Sequence, residues 1–219
     1  MKTKLRRQLA ARKRKIQRRL DKTKFPQEAG PVLAGGNLHY EMSERVHGLG
    51  HGGVALFHRL ACNIGLIDAI DTRLGILKIH LPYCDSDHVV NLALNTLCGG
   101  DCLQDLELRR NDVNYLDALG AQRIPDPTTA GDFCRRFDAA HINLLQDIYD
   151  DVRVGVWQHQ PARFFEQAIL DADGTLVATT GQCKVGMDIA YNGTWGYSVP
   201  TIVAIRKICC NNSRTAFLP

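Results

Sequence analysis

One acid, Asp21, is all that residues 1–24 set against twelve Lys and Arg, so this end of the chain hardly neutralises its own charge. Acids are scarce at the far end too: after Asp173 the chain has Asp188 and no glutamate. No apolar run approaches the roughly 20 residues needed to span a bilayer, and His58 and Arg59 break the best candidate. The basic N-terminus is followed by TKFPQEAGPVLAGG, which lacks the apolar core of a signal peptide. Eight cysteines are too few and too irregularly spaced for a secreted disulfide scaffold. These absences predict a soluble, reduced, cytoplasmic protein with no membrane partner.

What is present is uneven. The 219 residues suffice for one large domain or two small ones, and the 45% hydrophobic content is ordinary for a globular protein. The formal charge of +4 divides into +11 over residues 1–24 and −7 over the rest. Such a split predicts a polyanion-binding arm on a mildly acidic body. In the arm, residues 1–24, Leu5, Leu9, Ile16 and Leu20 make a thin helical stripe among basic residues. Arg6, Arg7, Arg12, Lys13, Arg14, Lys15, Arg18 and Arg19 are the candidate phosphate contacts, since each neutralised phosphate releases counterions. A solvated tail and a membrane-surface or partner helix are the other readings of such a segment.

Residues 25–53, rich in Gly with Pro26 and Pro31, read as a linker, and His47 and His51 in it read as loop residues. Residues 54–160 read as mostly helical. Val54, Leu56, Phe57, Leu60, Ala61 and Ile64 make one apolar face. Asp85-Ser86 is positioned to cap a helix over 87–97, ended by Gly99-Gly100. Two short helices are expected over 103–110 and 112–119, and Thr128-Thr129 starts another running to Phe137. A longer helix over 139–158 carries Ile142, Leu145, Ile148, Val152 and Val156. This succession could include a helix-turn-helix with 128–137 as the reading helix, or be a bundle that braces the next domain. Cys84, His88, Cys98 and Cys102 are spaced off the usual zinc knuckles, and buried free thiols are expected instead.

Residues 168–200 carry the chemistry. The apolar run into Asp171 and Asp173 reads as a buried strand with both acids on one face, which suits a divalent cation that takes oxygen ligands. Asn192-Gly193 between aromatic-rich arms predicts a hairpin, with Tyr191, Trp195 and Tyr197 filling the sheet; DNA contact by these aromatics is the alternative.

Two families share features with this region. LDADGT resembles the D-x-D-G-T motif of haloacid dehalogenase-like phosphatases, which would make Asp171 a nucleophile and Asp173 an acid/base. That fold also requires a downstream acidic pair, and only Asp188 follows. From about Leu33 to Pro200 the chain resembles the cut-and-paste DDE transposases of bacterial insertion sequences. The likeness rests on Cys98-Gly99-Gly100, Leu108-Arg109-Arg110-Asn111-Asp112, Pro127-Thr128-Thr129, LDADGT and Gly193 to Tyr197.

This second resemblance implies a mainly α N-terminal region, 54–160, that binds DNA, followed over 161–219 by the start of an α/β RNase H-like core with an incomplete sheet. It implies Asp173 as the first metal-binding carboxylate, with Asp171 as the alternative, and Arg109 and Arg110 in the DNA-binding region. Intact relatives are expected to cut and rejoin DNA at element ends with Mg²⁺, in which two ions steady the attacking and leaving oxygens. A second Asp and a Glu would complete that cage. The tail after Pro200 departs from the family pattern, so the expectation is a truncated transposase that binds DNA, and itself as a homo-oligomer, without cutting. A regulator that only binds DNA, and the phosphatase, are the alternatives.

Overall fold

The computed structural model describes residues 2–22, 30–35, 48–79, 82–166, 169–179 and 186–205. It is mainly helical with a small antiparallel sheet, and it divides into two compact units, residues 1–158 and 159–219. No described helix is long and apolar enough to cross a membrane.

In the first unit, α1 (Lys2–Lys22) precedes α2 (Val54–Asn63), α3 (Leu66–Arg73) and α4 (Asp85–Leu97). A 3₁₀ turn at Leu103–Asp105 leads into α5 (Leu106–Arg110), α6 (Val113–Ala118), α7 (Pro127–Cys134) and the 20-residue α8 (Ala139–Gln158). Helix α4 is the divider. Its Val90 and Leu94 enter one apolar core with Ile16, Val32, Leu33, Tyr115, Leu116 and Ile124. The adjacent Val89 enters a second core with Ile70, Leu74, Phe133 and Ile148. A helix buried on nearly all sides is expected to lack a solvated polar face, and His88, Asn91 and Asn95 are buried on α4 as well.

The first turn of α4 fixes what surrounds it. Asp85, fully buried, accepts from the amides of Ile76 and Leu77, both at 3.0 Å. Asp87, equally buried, accepts from the Cys84 amide at 2.9 Å and the Leu33 amide at 2.8 Å. Asp71 on α3 accepts from the Ser86 amide and hydroxyl, both at 2.8 Å. Carboxylates at a helix N-terminus also meet the positive end of the helix dipole. Burial pushes the Asp87 carboxyl up, against the downward pull of the Cys84, Leu33 and Val32 amides.

Several sequence expectations are corrected here. Cys84 is the residue preceding α4, and Asp85 and Ser86 lie inside its first turn. Asp126, with Pro127 after it, caps α7 through the amides of Thr128 and Thr129, and α7 ends at Cys134. The inward face of α2 is Val54, His58, Ala61 and Cys62, while Leu56, Phe57 and Leu60 are exposed by 75%, 51% and 52%. His58 takes the core position because its Nε2 bonds the Leu33 carbonyl at 2.6 Å. On α8, Ile142 and Val156 are exposed, and the packed stripe is Leu144, Leu145, Ile148, Tyr149 and Val152.

In the second unit, β1 (Ile169–Ala178) pairs antiparallel along its whole length with β3 (Trp195–Ile205), and β2 (Asp188–Ile189) adds to the other side of β3. The β2–β3 turn closes with the Gly193 amide donating to the Ala190 carbonyl at 2.8 Å, and Gly193 has φ +80°. Asn192 Oδ1 accepts from the Thr194 amide at 3.0 Å. This is the hairpin that Asn-Gly predicts. Its aromatics do not fill the sheet as expected: Tyr191 is fully exposed, Trp195 is 39% exposed and Tyr197 is half-buried. At Gly196 a side chain would run into the Val177 carbonyl of β1, so only glycine lets the strands approach there.

The α4 turn yields a prediction. Asp85→Ala leaves the part-buried amides of Ile76 and Leu77 without their acceptor, at up to about 1–3 kcal/mol each. The urea midpoint should therefore fall by the equivalent of at most two such losses with an unchanged slope, while Asp85→Asn, which keeps one acceptor, loses less.

Candidate nucleic-acid interface

The basic segment folds as one continuous helix, α1, within the first unit. Its stripe is used from the C-terminal half: Ile16 is buried in the first core, Leu20 and Leu9 are half-buried, and Leu5 is 49% exposed. Two ion pairs flank Ile16. Lys13 Nζ lies 2.9 Å from Glu107 on α5, and Arg19 Nη1 lies 2.6 Å from Asp117 on α6. Against the upward push of burial, the Lys13 and Arg110 cations hold the Glu107 carboxyl below its ordinary value.

At about 100° per residue, Arg7, Arg14 and Arg18 fall within about 20° of the side opposite Ile16. They are exposed and not ion-paired among the described residues. The three span about 16 Å along the axis at 1.5 Å per residue. Arg6 and Lys15 are exposed on the flanks, and Arg12 is exposed on the side of Ile16. The candidate cations thus separate by role: Lys13 and Arg19 face acids of the body, and the row at 7, 14 and 18 faces outward.

Arg109 and Arg110 are both engaged within the unit. Arg109 Nη2 donates to the Cys98 carbonyl at 2.6 Å, at the C-terminal end of α4, and Nη1 donates to His51 Nε2 at 2.9 Å. Arg110 Nη1 is 3.2 Å from Glu107 Oε1. Both arginines act as internal ties, and His51 joins one of them; His47 lies outside the described residues. The exposed face of α7 presents Thr128, Asp132 and Arg135, with Arg135 paired to Asp132. An acid at the centre of that face disfavours contact with a groove edge carrying the DNA potential.

The four zinc candidates are spread out. Cys84 and Cys98 sit at opposite ends of α4, about 20 Å apart along a 13-residue helix, far beyond shared coordination. His88 instead stacks on Phe133, with ring centroids 4.3 Å apart and planes 10° apart. Burial, with Arg136 nearby, drives its pKa down to about 4.

Asp171 and Asp173 sit two residues apart on β1, in register with Val203 and Thr201 of β3; their side chains lie outside the described residues. Asp188 pairs with Gly196, which also faces Ala178 of β1. Position 188 is therefore five residues along and two strands across from position 173, about 19 Å away at 3.3 Å per residue and 4.8 Å per strand. Its Oδ1 accepts the adjacent Ile189 amide at 2.7 Å. Among the described sheet residues, positions 171 and 173 are neighbours and position 188 stands apart.

Comparison with protein-family models, curated proteins and solved structures finds no match to this chain.

Sequence reasoning missed Glu107, which gathers Lys13, Arg110 and the Asn111 side-chain amide. The signal was its place as the acid within LELRRND, opposite a basic segment far away in sequence.

These contacts can be tested separately. Ile16→Asp should release α1, seen as faster trypsin cleavage within residues 4–22, whereas Lys13→Ala should change stability by less than about 1 kcal/mol, the usual worth of an exposed pair. His88 binds its proton more weakly folded than unfolded, so its contribution is complete above its ordinary value of 6.5 and fades as pH falls toward about 4. Denaturation at several pH values should show His88→Gln removing up to about 3 kcal/mol of acid sensitivity over that window.

Proposed function

We propose that this chain is a transposase-derived DNA-binding protein that engages the phosphate backbone through the outward face of α1, with no strand cleavage of its own. The observation that carries the reading is the division of α1 into two faces. Ile16 and Leu20 are taken up by the first core, while Arg7, Arg14 and Arg18 point away from it. A membrane-surface helix needs its apolar face free to enter the headgroup region. Here that face is already occupied, and what is left outside is cationic. A row of guanidiniums on a rigid helix suits phosphate oxygens, which arginine can meet with paired N–H donors.

The resemblance to DDE transposases supports DNA, rather than another polyanion, as the partner, with element ends as its target. The absence of cleavage rests on the register of the sheet. Asp173 has Asp171 beside it, but among the described residues no third acid of the sheet comes within ligand reach. The helical unit is the DNA-binding part, and the antiparallel sheet stands where the RNase H-like core of the intact family would begin.

The test is fluorescence anisotropy with random duplexes at stepped salt. Six phosphate contacts predict a loss of affinity on the order of 10³-fold between 50 and 200 mM salt. Arg7→Glu/Arg14→Glu/Arg18→Glu should weaken binding at least tenfold and flatten the salt slope, with the melting temperature preserved. Equal affinity in that variant would remove α1 as the interface. Mg²⁺-dependent nicking lost in Asp173→Ala would overturn the non-cleaving assignment.

A further inference from the structure

In the first unit, Ile76, Leu77, Lys78, Ile79, Pro82, Tyr83, His88, Thr129 and Arg136 line a cavity of about 650 Å³. That volume lies within the range of small-molecule sites, roughly 300–1,000 Å³. The lining is mainly aliphatic, with Tyr83 as its aromatic member. Among the described lining residues there is no acid, and the cations Lys78 and Arg136 are both exposed. Neither is ion-paired among the described residues.

One polar group in the wall is left over. His88 is 3% exposed, and its Nδ1 has no hydrogen-bond partner among the described residues. Its ring is held by the Phe133 stack and by Tyr83 edge-on at 5.8 Å. Thr129 donates its hydroxyl to Asp126 Oδ2 at 2.9 Å, which leaves lone pairs on that oxygen. The Tyr83 ring is itself fixed by Arg123, whose guanidinium carbon lies 5.8 Å from the ring centroid.

We propose that this cavity binds a small organic carboxylate with an apolar body, the body against Ile76, Leu77 and Tyr83 and the carboxylate at Arg136 and Lys78. The aliphatic part of the lining offers a hydrocarbon body surface to bury. Lys78 and Arg136 are not ion-paired among the described residues, Asp126 being engaged by Thr129, and a guanidinium meets a planar carboxylate through two parallel bonds. The His88 ring adds to the wall of the cavity, held beside Tyr83 and Phe133. The exposed Leu56, Phe57 and Leu60 of α2 share only the apolar part of this chemistry and lie outside the cavity.

The test is isothermal titration calorimetry of the full chain with decanoate and 4-phenylbutyrate as probes and decanol as the uncharged control. At least one carboxylate should bind saturably at one site, and decanol at least tenfold more weakly. Arg136→Glu, a change at an exposed position, should weaken the carboxylate at least tenfold, and Leu77→Arg should abolish it by filling the cavity. Phe57→Ser and the triple α1 variant should bind as the parent does, which keeps this result separate from the DNA measurement. The proposal is overturned if neither carboxylate saturates, or if both bind Arg136→Glu with parental affinity. It also falls if duplex DNA displaces the carboxylate and Arg136→Glu weakens DNA equally, for the cavity would then belong to a DNA-contacting face.

Discussion

The structure of the first unit depends on carboxylates withdrawn from water at one helix end. Asp85 and Asp87 are fully buried, a position that would be prohibitive for a lone charge. It is tolerable here because each accepts two or more backbone N–H groups, and those groups would otherwise be stranded. The amides come from segments with no regular structure of their own. The turn at residues 74–77 and the loop at 31–35 are thereby held against α4 as firmly as if they were strands. The first turn of α4 thus serves as donor and acceptor hub for three stretches of chain.

The consequence reaches the cationic helix. Leu33 is held from both sides, its amide by Asp87 and its carbonyl by His58. With Val32, it belongs to the apolar core that receives Ile16 of α1. The orientation of the outward arginines is therefore set by a buried carboxylate and a neutral imidazole, neither of which touches α1 through a polar contact. The ion pairs to Glu107 and Asp117 add little energy at their exposure, but they select one face of an otherwise symmetrically charged helix. Charge of one sign on all sides cannot orient a helix. A few acids on the receiving surface can.

Local patterns in the sequence were readable where local forces decide. The Asn192-Gly193 hairpin follows from turn chemistry, and the long helix over 139–158 follows from its periodicity. What misled was polarity in the core. His58 reads as a solvent-facing residue and Leu56, Phe57 and Leu60 as core; a single hydrogen bond to a carbonyl 25 positions earlier reverses the helix. Asp85-Ser86 reads as a cap, yet both residues lie inside the first turn, and the receipt of distant amides by Asp85 and Asp87 depends on tertiary placement that no spacing records. Arg109 is similar: within a basic pair it reads as a phosphate contact, yet it closes the end of α4. The arm's charge was legible, and its seat was not, because Glu107 and Asp117 lie almost a hundred residues away.

The same contrast bears on the two carboxylates of β1. Alternation along a strand is the signal by which the sequence pairs Asp171 with Asp173, and it is a local one. A metal cage needs more, since hard cations draw ligands from several elements, and the sheet's register decides whether other elements arrive. Here β3 opposes the two acids with Val203 and Thr201, and the short β2 stands at the other end of the hairpin. Lengthening β2 alone would not bring Asp188 closer, because its pairing with Gly196 fixes it opposite Ala178. Among the described strands, no acid of β2 or β3 stands at the level of residue 173. A row of cations and a metal cage thus rest on different physics. The first needs only a helix seated by its other face, and the second needs acids converging from several elements.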